Sequence, residues 1–329
     1  GTGRGYLDTL LAKTGTKITL FHDELNPLFG GHHPEPNAHG MEAVSKFVRS
    51  GKAQIGLGLD GDADRFGIVD KDGTWLTPNQ ILALALYHLK KNRGWTGAVV
   101  RTVPTSHQVD AVAAMLGVKV HETPVGFKYI GETMDARGVE NFVFGTEESL
   151  GYLAGDYARD KDAAIAALYL CELAAELAIE KRTLLEQLED LHGRFGYYAE
   201  RQRNDYAYGP SGKELILGLM EAFRKTPPQE LGGVALTEVH DYGAHEVRTL
   251  PTNEKRSDLA HPQGNLLIFF GTHADCRIRF AVRPSGNEPS ARVRNSGTWR
   301  LVDSAKLICT ACRLDLRFFT RITSPTLTR

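Results

Sequence analysis

The sequence lacks any run of about 18 apolar residues, so we expect no transmembrane helix. It also lacks an excess of either charge: 39 lysines and arginines against 40 aspartates and glutamates leave a formal net charge of −1. A chain with that balance is not typical of proteins that bind nucleic acid or membrane surfaces. No signal peptide is visible, and we therefore expect a cytoplasmic protein.

Cysteine is scarce, with four in 329 residues, which excludes a disulfide framework. Cys309 and Cys312 form a lone C-x-x-C, and without a second pair nearby we expect no zinc site. His32 and His33 are adjacent, so their side chains point apart, and no third ligand follows at metal-binding spacing. A loop is favoured there.

The sequence does contain a repeated alternation of strand and helix patterns. Buried-strand patterns such as AVVRTV at 98–103 are followed by helical patterns such as 108–116 and 162–180. KITLFHDE at 17–24 is also predicted to be a strand. This alternation is typical of three-layer α/β domains.

The C-terminal part has a different pattern. Residues 197–212 are predicted to be a linker, and a predicted helix at 213–225 is followed by strands with an antiparallel pattern. We therefore predict an α/β protein with two three-layer α/β/α domains of mixed sheet, followed by a C-terminal α+β domain. The predicted domains are 1–95, 96–200 and 201–329.

The stretch QIGLGLDGDADRFGIVD, residues 54–70, places Asp60, Asp62 and Asp64 on one tight turn between two apolar strands. Three close carboxylates repel one another, and a bound divalent cation removes that repulsion. Oxygen-only ligation suits Mg²⁺. A calcium EF-hand loop is excluded, because Arg65 and Lys71 occupy the positions that require Gly and Glu. A solvated acidic turn is the remaining alternative.

A second loop, FGTEESLGY, follows a predicted strand and presents Glu147, Glu148 and Ser149. Carboxylate and hydroxyl groups at the carboxyl end of a strand can bind the neighbouring hydroxyl groups of a sugar. The alternative is that one of the glutamates only caps the next turn.

A third loop, VRPSGNEPS, offers the guanidinium of Arg283, the hydroxyl of Ser285, the N–H of Gly286, and Asn287. These donors together form a cradle for an oxyanion, and a phosphate is the natural ligand. The alternative is a simple β-turn, since Pro, Ser, Gly and Asn favour turns.

A fourth loop, TPVGFKYIGE, places Lys128 in the first turn of a predicted helix, where an anion can bind. A solvated lysine is the alternative, and Arg101 at a strand end is a weaker candidate. Ser106 beside His107 suggests a nucleophile, but a helix cap is more common at such a junction.

Together these four loops resemble those of the α-D-phosphohexomutase family, the phosphoglucomutases and phosphomannomutases. DGDADR resembles the metal loop, GTEES the sugar-recognition loop, RPSGNEP the phosphate loop usually written RPSGTEP, and TPVGFK the loop of the third domain. Their order and spacing agree as well, and the resemblance extends to about Arg292.

The resemblance implies a four-domain enzyme that moves a phosphoryl group on a hexose phosphate. A phosphoserine donates the group, and a hexose 1,6-bisphosphate is the intermediate. The implied site residues are Asp60, Asp62 and Asp64 for Mg²⁺, Arg65 and Lys128 for catalysis, and Glu147, Ser149, Arg283, Ser285, Gly286 and Asn287 for the substrate. The implied partners are hexose phosphate substrates, and we expect neither nucleic-acid nor membrane partners. The expected oligomeric state is a monomer or homodimer.

Several departures qualify the resemblance. The family's serine loop, T-x-S-H-N-P, is absent, and the family places it before the point where this chain begins. The chain therefore resembles domains two to four and is not expected to complete a mutase cycle. Gly151 and Tyr152 stand where the phosphomannomutase-type loop ends in histidine, so a glucose-type substrate is favoured. Asn287 replaces threonine, and the sequence after Arg292 does not match the family.

Two other functions stay open at this point. A metal-dependent sugar phosphatase would use an aspartate of the acidic turn as its nucleophile. A non-catalytic fragment would bind sugar phosphates without turnover.

Overall fold

A computed structural model of the chain describes residues 1–307 apart from 32, 139–141, 209, 232, 261–263, 274–275 and 285–295. For residues 201–208, 210–213, 276 and 296–307 only the backbone is described. The chain divides into two compact units, Gly1–Phe195 and Gly196–Arg329. In the described part, every helix is too short or too polar to cross a lipid bilayer.

The first unit alternates helices and strands. Its helices are α1 Leu7–Ala12, α2 Glu42–Arg49, α3 Pro78–Tyr87, α4 Gln108–Met115, α5 Phe127–Arg137, α6 Ala163–Ile179 and α7 Leu184–Phe195. Its strands are β1 Gly56–Leu59, β2 Phe66–Val69, β3 Ala98–Thr102, β4 Lys119–Thr123, β5 Phe142–Glu147 and β6 Gly151–Ala154.

The described strands of this unit form two sheets. The strands β1 and β2 make an antiparallel hairpin. The other sheet has the order β4-β3-β5-β6, in which β3 runs parallel to β4 and β5, while β6 is antiparallel. The parallel strands place their carboxyl ends, and the loops that follow them, at one edge of the sheet.

Helices α3 and α6 are apolar on nearly all sides because they lie inside one shared core. Leu82 and Leu86 of α3 are fully buried, as is Leu170 of α6. Thr77 and Gln80 form a capping box at the start of α3, with Pro78 at its first position. The core joins residues of β2, α3, β5, α6 and α7, and smaller apolar clusters lie beside it around α5 and α2.

Asp70 connects the hairpin to α7 across 114 positions of sequence. Its carboxylate accepts the N–H groups of Leu184, at 3.4 Å, and Leu185, at 2.9 Å, which begin α7. The first N–H groups of a helix have no partner within the helix, so Asp70 supplies the cap. The side chain is 2% exposed.

Asp70→Ala is expected to lower the free energy of unfolding by about 2–3 kcal/mol, because it removes the cap and leaves buried N–H groups without acceptors. Urea denaturation followed by circular dichroism measures this. Lys71→Ala, at the exposed next position, is the control and should change it by less than about 0.5 kcal/mol. Equal effects of the two substitutions would show that Asp70 does not cap α7.

His192 in α7 makes stability depend on pH. Burial lowers the pKa of this ring to about 4, so it stays neutral in the fold. Its Nε2 atom lies 2.9 Å from the amide nitrogen of Gln108, which can only donate. An unfolded chain binds a proton at this ring near its ordinary pKa of about 6.5. The part of the free energy of unfolding that depends on neutral His192 is therefore fully present above about pH 6.5, and it is lost as the pH drops towards 4.

Between pH 7 and 4.5, His192 is expected to account for a loss of about 1–2 kcal/mol, reduced from the full linkage value because the ring is only partly buried. His192→Gln should remove that part of the pH dependence. Urea denaturation of both proteins at the two pH values measures the difference. Parallel stability profiles would contradict the assignment.

The described residues of the second unit form one helix and an antiparallel sheet. The helix is α8 Pro210–Lys225, and the strands are β7 Tyr197–Tyr208, β8 Glu230–Leu231, β9 Val234–Asp241, β10 Glu246–Thr249, β11 Glu254–Asp258, β12 Leu267–His273, β13 Cys276–Pro284 and β14 Ser296–Leu307. The sheet order is β11-β10-β9-β12-β13-β14-β7, with β8 beside β9. Its apolar core includes Met220 of α8 and Phe269 of β12.

Two sequence predictions were wrong. Residues 17–24 contain no strand, because within the described chain no neighbouring strand pairs with them. Residues 197–212 are not a linker, since 197–208 form β7, which pairs with β14 along its whole length. The unmatched sequence after Arg292 supplies β14, and residues 308–329, with Cys309 and Cys312, lie outside the described part.

Candidate active site

The acidic turn joins β1 to β2 and brings its three aspartates together. One carboxylate oxygen each of Asp60, Asp62 and Asp64 lies within 4.8 Å of the others. Asp60 Oδ1 accepts the N–H groups of Asp64 and Arg65, both at 3.0 Å, and so holds the turn closed. Asp62 is exposed at the tip of the turn.

The electrostatics of the turn are unfavourable for the protein alone. Burial is the main cause that raises the pKa of Asp60 to about 7. The charges of Asp64 and Asp62 act in the same direction, and the hydrogen bond from Arg65 N–H opposes them. Asp64 Oδ1 is buried, and no donor in the described chain hydrogen-bonds to it. An orphaned carboxylate oxygen beside two other carboxylates fits a hard divalent cation with oxygen ligands, such as Mg²⁺.

Two of the residues other than glycine that have a positive φ lie at the same place. Ala63 in the acidic turn has φ 63°, and Leu150 in the loop between β5 and β6 has φ 68°. Each is a residue with a side chain in the left-handed region, which costs about 1–2 kcal/mol. Such strain persists where the surroundings impose it, often at functional sites.

The two strained loops contact each other. Phe66 N–H donates to Leu150 O at 3.3 Å, and Arg65 forms a β-bridge with Gly151. Glu147, at the end of β5, is 7% exposed, and its Oε1 accepts the N–H of Gly126 at 2.9 Å. Three predicted loops of the first unit therefore meet: the acidic turn, the loop 147–151 and the loop before α5.

Lys161 lies between these loops, and sequence reasoning missed it. Its Nζ is 3.1 Å from Asp64 Oδ2 and 5.4 Å from the ring centroid of Phe127. Its stem passes over Gly151, where a Cβ atom would lie 2.5 Å from Lys161 Cδ, so a larger residue at 151 would displace the lysine stem. In sequence Lys161 stands in the charged run RDKD, which is typical of a solvated loop.

Lys161 is held in its charged form. Burial alone lowers the pKa of its ammonium group, but the hydrogen bond to Asp160 and the charges of Asp64 and Asp160 outweigh burial and raise it. The side chain is 14% exposed. A fixed positive charge therefore stands beside the acidic turn and the loop 147–151.

Arg65 lies among carboxylates. Its Nη1 is 3.2 Å from Glu35 Oε1, and its Nε is 3.7 Å from Asp60 Oδ2 and 3.8 Å from Asp64 Oδ1. The guanidinium therefore borders the acidic turn and offsets part of its charge.

The other predicted site residues of the first unit, Ser149, Glu148 and Lys128, differ in how far they are exposed to solvent. Ser149 is half-buried in the turn before β6. Glu148 is buried and accepts a hydrogen bond from Thr102 Oγ1 at 3.3 Å. Lys128 is exposed, with its Nζ 4.7 Å from the ring centroid of Tyr129, and in the described chain it forms no ion pair.

Arg283 belongs to the second unit, at the end of β13. It is 7% exposed, and its Nη1 donates to Pro284 O at 3.3 Å. The other predicted members of the phosphate cradle, Ser285, Gly286 and Asn287, lie outside the described residues.

Two weaker candidates have structural roles. Ser106 is fully buried, and its Oγ accepts the N–H of Gln108 at the start of α4, as a helix-capping group does. Arg101 is buried and paired with Asp110 at 3.0 Å and Glu122 at 2.8 Å. Neither side chain is placed for catalysis.

A second cluster of potential metal ligands comprises His88, Glu172 and Glu176. Arg93 Nη1 lies 2.6 Å from Glu172, and Asn92 Nδ2 lies 2.6 Å from Glu176. These donors already engage both carboxylates, and the cluster therefore ties residues 88–93, which follow α3, to α6.

Comparison with known proteins identifies the family. Residues 1–73 match the model of phosphoglucomutase/phosphomannomutase α/β/α domain II, and residues 77–195 match that of domain III. The chain belongs to the phosphoglucomutase/phosphomannomutase family. The predicted family and fold class are thereby confirmed.

Curated relatives agree with this assignment. A phosphoglucomutase of Staphylococcus epidermidis is 32% identical over 249 residues, which cover 73% of this chain and 44% of that protein. A phosphoglucomutase of Staphylococcus aureus is 29% identical over 273 residues, covering 79% and 48%. The chain thus spans about half the length of the curated relatives it matches.

Solved structures of the family share the fold. The open form of Paramecium parafusin, a phosphoglucomutase, has a TM-score of 0.60 and 23% identity, covering 92% of this chain and 51% of that one. A phosphoglucomutase/phosphomannomutase family protein of Burkholderia thailandensis has a TM-score of 0.58 and 15% identity, covering 94% and 55%.

Proposed function

We propose that this chain carries the metal-binding, sugar-recognition and phosphate-binding parts of a phosphohexomutase of the phosphoglucomutase type. The reaction moves a phosphoryl group between C1 and C6 of a hexose phosphate, through a phosphoserine and a hexose 1,6-bisphosphate. No T-x-S-H-N-P loop stands in this sequence, so the chain alone is not expected to turn over substrate. Relatives named phosphoglucomutase support the glucose-type substrate.

The observation that carries the proposal is the contact between the acidic turn and the loop 147–151. Lys161 bridges Asp64 and the backbone of Gly151, beside the carboxylate of Glu147. A phosphoryl group near the turn and a sugar ring near Glu147 would then be close enough to belong to one hexose phosphate. Such positioning is the main contribution an enzyme makes to phosphoryl transfer.

The residues proposed to hold Mg²⁺ are Asp60, Asp62 and Asp64, whose crowded oxygens and orphaned Asp64 Oδ1 fit such an ion. When bound, Mg²⁺ offsets the negative charge that develops on a transferring phosphoryl group. Asp60 keeps the turn closed through its two backbone hydrogen bonds.

The other residues are proposed to bind and orient the substrate. Arg65 and Lys128 supply positive charge near the reacting phosphate, and Glu147 and Ser149 bind sugar hydroxyls. The phosphate that does not react is proposed to bind Arg283, Ser285, Gly286 and Asn287. The three domains proposed are 1–95, 96–200 and 201–329, in a cytoplasmic monomer or homodimer without nucleic-acid or membrane partners.

A fusion tests the function. The N-terminal part of the Staphylococcus epidermidis phosphoglucomutase that precedes the matched region is joined to Gly1, and conversion of glucose 1-phosphate to glucose 6-phosphate is assayed with Mg²⁺. We expect conversion that EDTA abolishes. A folded fusion inactive on glucose, mannose and glucosamine phosphates would contradict the proposal. Phosphoaspartate at Asp60 or Asp62, detected by mass spectrometry, would favour the phosphatase alternative.

A further inference from the structure

Residues 88–92 form a π-helical turn that continues α3 directly. Arg93 N–H donates to His88 O at 3.0 Å, five positions back, and this longer bond widens the turn. Such turns are rare and are frequent at functional sites. The side chains of His88, Asn92 and Arg93 all reach α6, where they meet two glutamates that stand one helical turn apart.

The ring of His88 is fully buried, and its two nitrogen atoms have different surroundings. Nε2 lies 3.2 Å from Glu172 Oε2, within hydrogen-bond distance. Nδ1 lies 3.6 Å from Glu176 Oε2, which is too long for a hydrogen bond. In the part of the chain that the structure describes, Nδ1 has no hydrogen-bond partner. A buried polar nitrogen is therefore aimed at a carboxylate and left unsatisfied, and such an atom calls for an explanation.

Glu172 orients this ring. A carboxylate can only accept a hydrogen bond, so the contact with Glu172 places a proton on Nε2, and in the neutral ring Nδ1 then carries a lone pair. Arg93 Nη1 holds the same carboxylate at 2.6 and 2.8 Å. The guanidinium carbon of Arg93 lies 5.0 Å from the ring centroid of Tyr169 and 6.0 Å from that of Trp95, so the arginine is fixed as well.

Glu176 keeps the capacity to bind another partner. Asn92 Nδ2 donates to its Oε2 at 2.6 Å, and none of the other described residues donates a hydrogen bond to this carboxylate. An ionised carboxylate has about four lone-pair positions, so one hydrogen bond leaves most of them available. The side chain is 44% exposed, which gives an ion a path from solvent and leaves room for water ligands. The bond from Asn92 orients the carboxylate towards His88.

The spacing of His88 Nδ1 and Glu176 Oε2 fits two ligands of one metal ion. Zinc binds nitrogen at about 2.0–2.1 Å and carboxylate oxygen at about 2.0–2.2 Å, so a tetrahedral angle separates two such ligands by about 3.4 Å. The observed separation is 3.6 Å. An imidazole with a carboxylate suits zinc and its neighbours among the transition metals, whereas Mg²⁺ prefers oxygen ligands. A histidine that binds a metal commonly donates its other ring N–H to a carboxylate, as His88 does to Glu172.

We propose that His88 Nδ1 and the carboxylate of Glu176 bind a divalent transition-metal ion, for which Zn²⁺ is the best fit, and that water completes its coordination. Glu172 is a positioning residue, since it holds the ring with Nδ1 directed at Glu176. The ion ties the π-helical turn to α6 and so fixes the connection between α3 and β3. The site shares no residue with the candidate active site, so either can fail without the other.

Calorimetric titration with ZnCl₂ tests this site. All titrations use the full chain with Asp62→Asn, which removes the competing ligands of the acidic turn. Adding Glu176→Gln is expected to weaken zinc binding at least about tenfold, because even the outer partners of metal ligands are commonly worth ten- to a hundredfold. Adding Glu180→Gln removes the same charge from an exposed glutamate at the end of α6 and should change the affinity by less than about twofold. Circular dichroism checks that each variant is folded.

Anomalous diffraction at the zinc edge, from soaked crystals of the unsubstituted chain, locates the ion. We expect a peak about 2.0–2.2 Å from His88 Nδ1 and from one oxygen of Glu176. Equal zinc affinities of the Glu176→Gln and Glu180→Gln proteins would overturn the proposal, and so would a map without a peak beside His88. Either result would indicate that the ring is protonated and pairs with both glutamates instead. None of these readouts depends on mutase activity.

Discussion

Asp62→Asn is expected to weaken Mg²⁺ binding to this chain by at least about a hundredfold, since even indirect supports of a metal ligand are commonly worth ten- to a hundredfold. The amide oxygen is neutral, so the turn loses one of three negative charges as well as a ligand of choice for a hard ion. Asp62 is exposed and does not hold the backbone of the turn, unlike Asp60. The fold should therefore survive the substitution.

Isothermal titration with MgCl₂ measures the affinity, and circular dichroism checks the fold. Asp72→Asn is the matched control, because Asp72 is an exposed acid in the same region of the chain that caps its own turn through Thr74 N–H. If Asp72→Asn weakened binding as much as Asp62→Asn, the cation would be held by general charge rather than by ligation. If Asp62→Asn left the affinity for Mg²⁺ unchanged, the proposed metal site would be wrong.

Lys161→Met is expected to have opposite effects on two ligands. Mg²⁺ should bind more tightly, by about three- to tenfold, because the ammonium group 3.1 Å from Asp64 Oδ2 no longer competes for that carboxylate. Glucose 1-phosphate should bind at least about tenfold more weakly, because the hydrogen bond that we expect between the Lys161 ammonium group and this ligand is lost. A hydrogen bond to a charged group contributes about 1.5–3 kcal/mol. A purely structural lysine would not produce this reversal of sign.

Both affinities are measured by titration calorimetry on the same preparation. Lys71→Met, at an exposed lysine two positions after β2, serves as the control and should change neither affinity by more than about twofold. A parallel loss of both ligands in Lys161→Met would indicate damage to the loops, and no change in either would exclude Lys161 from the site.

The residue pattern predicted the parts of the fold that depend on local periodicity. Strands such as β3 and helices such as α6 are apolar runs because they are buried on both sides, and such runs can be recognised in the sequence. The weaker elements were missed for a physical reason. The strand β11 is exposed at every position and β6 is only four residues long, so neither leaves a periodic signal.

The candidate site was predictable only where its residues are adjacent in sequence. Asp60, Asp62 and Asp64 can be recognised from the sequence alone, because three close carboxylates between apolar strands repel one another and a bound cation removes that repulsion. Lys161 does not, since only tertiary folding brings it over Gly151, 10 positions away in sequence, and beside Asp64. The strand predicted at 17–24 failed for a similar reason, because a strand needs a neighbour, and none of the described strands pairs with these residues.

The central claim is that the acidic turn binds a divalent cation, and Mn²⁺ soaked into crystals of this chain tests it directly. Anomalous diffraction should show a peak about 2.0–2.3 Å from one oxygen each of Asp60, Asp62 and Asp64. A map with no peak at the turn, and with the three carboxylates pointing apart into solvent, would contradict the account.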